Sequence, residues 1–140
     1  ARLYFGIQSH FSQRSGLVSH FSQRSGLISI PYLCTMKSIT VHELKQLIDS
    51  KEDFQLIDVR EPFENEISTL NGLLIPMGEI ADRYREIEKG KKVIVHCRSG
   101  ARSANAIGFL EQQHGYTNLY NLTGGILAWA TEIDPEMDTY

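Results

Sequence analysis

The sequence is poor in cysteine. Only Cys34 and Cys97 occur in 140 residues, far apart, with no spacing that suits a metal. That excludes the disulfide framework of a small secreted domain and a thiolate zinc site. No apolar run approaches the roughly 20 residues that a helical membrane span requires. No continuous apolar core follows the single early arginine, Arg2, so a secretory signal is not expected either. Positive charge is also scarce. Fourteen Lys and Arg face 17 Asp and Glu, for a net charge of −3. Such a chain has little to offer a phosphate backbone, and neither nucleic acid nor a membrane is expected as a partner. No cofactor and no metal is expected. A free thiol in this background suits a reducing, cytoplasmic setting.

What remains is the composition of an ordinary globular chain, 41% hydrophobic and 22% charged, long enough for one real core. Its charge is unevenly spread. Residues 1–35 hold three arginines and no acid, so all 17 acidic groups fall in residues 36–140. The first stretch also contains a duplication: Ser9 to Leu17 recurs identically as Ser19 to Leu27. Two copies of a ten-residue unit are too few and too short for a solenoid. His10 and His20 have no carboxylate or cysteine clustered with them. Residues 1–35 are therefore expected to be a poorly ordered, non-functional extension. Met36 would then be the native initiator, with a single domain over 36–140.

Within that domain the pattern alternates. Ser38-Ile39 reads as a short strand, and Thr40 with Glu43 forms a capping box before the apolar stripe Val41, Leu44, Leu47 and Ile48. Phe54–Val59 is a second strand, Pro62 to about Ser68 a short helix, and Gly72–Pro76 a third strand. Ile80, Tyr84 and Ile87 stand at helical spacing on a charged segment. Val93–His96 is a fourth strand, a helix from Ser103 ends near Gly115, Asn118–Leu122 is a fifth strand, and a last helix begins at Gly125. Strands alternating with helices predict an α/β fold, a five-stranded parallel sheet with helices on both faces. The fourth strand is the most apolar and should be central. Ligands of such sheets bind beyond the strands' carboxyl ends.

Cys97 stands there, between that strand and the next helix. A thiol facing free N–H groups at a helix start can have its pKa lowered from about 8.5 to roughly 3.5–7.5. Arg98 and Arg102 supply positive charge beside it, and a greasy structural pocket has no use for them. Cys97 is read as the nucleophile. Gly100 permits a tight turn. Ser99 and Ser103 can offer hydroxyls to a bound group, although Ser103 could equally cap the helix. Each arginine binds an anion or pairs with a glutamate such as Glu64. His96 adjoins the nucleophile, but strand neighbours point to opposite faces, so it belongs to the core or stands behind the site. Asp58, at the end of the second strand, either holds the loop from behind or bonds local backbone. Arg60, Glu61 and Glu64 read as a surface salt network, Trp129 as core, and Gly124-Gly125 as a turn.

The run Cys97-Arg98-Ser99-Gly100-Ala101-Arg102-Ser103 resembles the active-site loop of single-domain rhodanese sulfurtransferases. Leu56-Ile57-Asp58-Val59-Arg60-Glu61-Pro62-Phe63-Glu64 and Leu122-Thr123-Gly124-Gly125-Ile126-Leu127-Ala128-Trp129 resemble two further motifs of that family, in its order. One departure is Ser68-Thr69, where the family usually has Gly-His. The resemblance implies the five-stranded architecture and a two-step transfer of sulfane sulfur, from thiosulfate or a persulfide, through a Cys97 persulfide to a thiophilic acceptor. Arg98, Ser99, Gly100, Ala101, Arg102 and Ser103 would then bind a small anionic donor. The tail from Gly124 to Tyr140 resembles the ends of rhodanese domains fused to enzymes that activate ubiquitin-like sulfur carriers, which makes such a carrier a candidate partner. Two other readings stay open: a non-catalytic rhodanese-like binding module, and a cysteine phosphatase or arsenate reductase. The latter resembles a pattern with five residues between cysteine and arginine, and this loop has four.

Overall fold

The computed structural model describes residues 36–140. The expectations for residues 1–35, including Cys34 and the duplicated segment, lie outside the described residues.

The expected alternation is present, with element ends shifted by a residue or two. Strand β1 (Ser38–Ile39) leads to Thr40, which caps helix α1 (Val41–Asp49). The capping box is reciprocal: Glu43 N–H donates to Thr40 Oγ1 (3.2 Å) and Thr40 N–H to Glu43 Oε2 (2.8 Å). Strand β2 (Phe54–Asp58), helix α2 (Pro62–Ile67) and strand β3 (Leu73–Leu74) follow. The segment expected as one helix around Tyr84 is instead broken. A 3-10 turn (Met77–Glu79), helix α3 (Ile80–Arg83) and a second 3-10 turn (Tyr84–Glu86) succeed one another. The reason is tertiary. Tyr116 donates its hydroxyl to the carbonyls of Tyr84 (2.6 Å) and Ile87 (2.9 Å), which ends the helix and lets both Ile80 and Ile87 bury. Strand β4 (Lys92–His96), helix α4 (Ala101–His114), strand β5 (Leu119–Leu122) and helix α5 (Gly125–Glu132) complete the domain.

All five strands are parallel, in the order β1-β5-β4-β2-β3, so β4 is central. Alternation along β4 sorts the two cores. Val93, Val95 and Cys97 face one cluster with Ala106, Ile107 and Leu110 of α4. Ile94 faces the other with Val41, Leu44 and Leu47 of α1 and Trp129 of α5. Helices thus cover both faces, and the chain leaves the central strand directly into the loop that carries Cys97.

Ser68-Thr69 does local work. The Ser68 carbonyl accepts from Arg60 Nη2 (2.8 Å), and Thr69 Oγ1 accepts from Asn71 N–H (3.0 Å) and Asn65 Nδ2 (3.1 Å).

Candidate active site

Cys97 directly follows β4 and is 1% exposed at the bottom of the loop. Two features curl that loop around the sulfur. Gly100 takes φ 106, a left-handed conformation that side chains rarely adopt, and so turns its N–H onto Cys97 Sγ at 3.1 Å. From the other side the start of α5 grips the loop: Ile126 N–H donates to Cys97 O (3.0 Å) and Leu127 N–H to Arg98 O (3.1 Å). Gly125 is required for that grip. A Cβ there would lie 2.5 Å from the carbonyl oxygens of both Cys97 and Arg98. The Gly124-Gly125 turn is therefore a buttress of the loop as well as a helix start.

Burial alone would push the Cys97 thiol up. The Ser103 hydroxyl and the N–H groups of Ser103, Gly100 and Ser99 outweigh burial and hold it below the ordinary cysteine value. Ser103 is fully buried, and its hydroxyl has one hydrogen for three acceptors: Asn121 Oδ1 (2.6 Å), Gly100 O (3.1 Å) and Cys97 Sγ (3.4 Å). Asn121 Nδ2 meanwhile donates to Gly100 O at 3.1 Å. Asn121 is a site residue that the sequence reading misses; only its place on β5, facing the α4 start, betrays it.

The arginines divide. Arg102 makes a bidentate pair with Glu64, Nη1 to Oε2 at 2.6 Å and Nη2 to Oε1 at 2.7 Å. The glutamate-pairing alternative is thus the one observed. Arg98 donates through Nε to the Tyr140 carbonyl (2.8 Å), and Nη2 reaches the same oxygen. The Tyr140 ring lies 5.2 Å from the Arg98 guanidinium. Its hydroxyl donates to Glu64 Oε1 (2.7 Å) and accepts from Arg60 Nη1 (3.0 Å). Glu64 is 4% exposed, and the hydrogen bonds from Arg102 first of all pull its pKa down to about 2, so it is ionised at neutral pH. Ser99 and Ala101 line the turn between these groups.

Two expectations are corrected. Arg60 and Glu64 are not a surface network: Arg60 is completely buried, because Asp58 neutralises it and five acceptors satisfy its guanidinium. Asp58 does not hold the Cys97 loop. It is itself fully buried, and its carboxylate accepts from Arg60 N–H, Nε and Nη2 and from Asn65 Nδ2. Asp58 thus bonds the local backbone and the side chain of Arg60. His96 is sealed beside it, 4.0 Å away and without a hydrogen-bond partner, and burial lowers its pKa to about 4. It does not pair with Cys97. Trp129 is core. Among the described residues no helix is long and apolar enough to cross a membrane, and no cluster of His, Cys, Asp and Glu could hold a metal ion.

A buried cysteine that follows the central strand, with the Gly100 N–H turned onto its sulfur at the carboxyl edge of a parallel sheet, defines a class of α/β domain. The chain belongs to the rhodanese-like domain family, whose model matches residues 40–132. It is 42% identical over 96 residues to a protein named "Sulfurtransferase" from Allochromatium vinosum, covering 68% of this chain and 89% of that one. To "Putative sulfurtransferase YtwF" of Bacillus subtilis it is 35% identical, covering 72% and 97%. It is 34% identical to "Probable adenylyltransferase/sulfurtransferase MoeZ" of Mycobacterium tuberculosis over 74% of this chain, but spans only 27% of that protein. Among solved structures, a rhodanese-related protein from Thermoplasma volcanium superposes with a TM-score of 0.61 at 36% identity, covering 69% of this chain and 93% of that one.

Proposed function

We propose that this protein is a sulfurtransferase that carries sulfane sulfur on Cys97. The observation that carries the reading is the Cys97 thiol, held below its ordinary pKa by donors from Ser103, Gly100 and Ser99 despite near-complete burial. In the first step the Cys97 thiolate attacks the outer sulfur of thiosulfate or of a persulfide. A new S–S bond forms on Cys97, the donor's S–S bond breaks, and sulfite or a thiolate leaves with the electron pair. In the second step a thiophilic acceptor takes the terminal sulfur and Cys97 leaves as thiolate. The loop's N–H groups stabilise the anion in both states without reorganising. Arg98 and Arg102 place positive charge at the rim of the loop that carries the thiolate. The relatives named sulfurtransferases support sulfur transfer as the general activity. A sulfur-relay protein is the acceptor we favour, on the likeness to MoeZ and to a B. subtilis protein named "Putative sulfur carrier protein YrkF". Thiocyanate formation from a sulfane donor and cyanide tests the reading. Native protein should turn over and Cys97→Ser should not; comparable turnover by both would refute it.

A further inference from the structure

The two arginines that a donor would meet are already engaged. Arg102 is held in both prongs of its fork by Glu64, and Glu64 is fixed in turn by Tyr140 Oη (2.7 Å) and by Glu61 N–H (2.9 Å). Arg98 is held by the Tyr140 carbonyl. The neighbouring Arg60 is matched by Asp58. With Cys97 ionised, the three guanidiniums face two carboxylates, a thiolate and the Tyr140 main-chain oxygen, so no positive charge is left unmatched. Residues 36–140 around it contain every acidic residue of the chain. Thiosulfate would bring two more negative charges into this partly buried cluster and would have to take guanidinium bonds away from Glu64. A low-charge donor need do neither.

Resting on the sulfurtransferase reading, we propose that Glu64 and Tyr140 set donor specificity, and that the donor is a small alkyl persulfide rather than the thiosulfate dianion. The step balances. The Cys97 thiolate attacks the outer sulfur of R–S–SH, the donor's S–S bond breaks as Cys97–S–SH forms, and R–S⁻ leaves with the electron pair while the proton stays on the transferred sulfur. The donor enters without charge, and the negative charge of the Cys97 thiolate leaves on R–S⁻. Glu64 does not touch the donor; it acts by holding Arg102 away from it. Its removal should therefore change the selection among donors.

The test compares kcat/KM for free cysteine persulfide and for thiosulfate in native protein, Glu64→Gln and Tyr140→Ala. The readout is the ratio of the two values, which a loss of folded protein leaves unchanged. Native protein should favour the persulfide at least about tenfold. Either variant loosens the hold on Arg102, and one new charge-assisted hydrogen bond to the dianion should shift the ratio about tenfold toward thiosulfate. Native preference for thiosulfate, or a ratio unmoved in both variants, would overturn the proposal and leave Cys97 sulfur transfer standing. Failure of both donors to load Cys97 would instead overturn the sulfurtransferase reading beneath it.

Discussion

Two arginine–carboxylate pairs stand side by side in this domain, and they do opposite work. In Asp58–Arg60 both side chains are 0% exposed; in Glu64–Arg102 the glutamate is 6% exposed and the arginine 36%. The buried pair is satisfied on every side, by Asn65, Ser68 O, Glu64 O and Tyr140 Oη, so no prong of the Arg60 fork is left for a ligand. The other pair sits at the rim of the Cys97 loop with its arginine open to solvent. A buried ion pair contributes little net stability, yet losing one partner leaves the other charge stranded. A partly exposed pair contributes less to stability, and removing its carboxylate frees the arginine. Burial therefore separates an arginine locked inside the fold through Nε and Nη2 from one held at the rim through Nη1 and Nη2 by a single glutamate.

Arg60→Ala should cost about 3–5 kcal/mol by stranding the Asp58 carboxylate, read as a lower urea midpoint. A loss below about 1 kcal/mol would mean that Asp58 does not need its partner. His96 sharpens the same side. Its folded pKa of about 4 lies below the ordinary 6.5, so the folded state resists a proton that the unfolded chain accepts. Its contribution is full above pH 6.5 and is lost as pH falls toward 4, up to about 3 kcal/mol. Stability measured across that window should fall in native protein and stay flatter in His96→Leu. At the rim, Arg102→Ala should cost only about 1–2 kcal/mol, because Glu64 keeps Tyr140 Oη and Glu61 N–H. Glu64 adds its own acid limit, with stability present above about pH 4.5 and lost as pH falls toward 2. Smallest of all, Arg98→Ala should alter stability by less than about 0.5 kcal/mol while slowing the loading of Cys97.

Much of this is legible in the sequence, for identifiable reasons. The β-branched run Val93–Val95 announces a central strand, Thr40 and Glu43 a helix start, and Cys97 with Gly100 a tight turn after that strand; each is a local pattern with a local cause. What stays hidden is long-range. Nothing near Arg60 in the sequence says that Tyr140, 80 residues on, will bond it, or that Tyr140 will also bond Glu64, 76 residues away. Charged residues in a Pro-containing turn read as surface, and Arg60 misleads for that reason. Asn121 escapes notice because an asparagine on a strand carries no pattern until α4 is packed beside it. The broken helix near Tyr84 has the same origin, since the hydroxyl that ends it comes from Tyr116.

The central claim is that Cys97 takes up one sulfur atom, and intact mass reads this directly. Native protein incubated with a sulfane-sulfur donor and freed of excess reagent should gain one sulfur, about 32 Da, lost again on adding a thiol. Cys97→Ser should gain none. An unchanged native mass, or an equal gain in Cys97→Ser, would contradict the account.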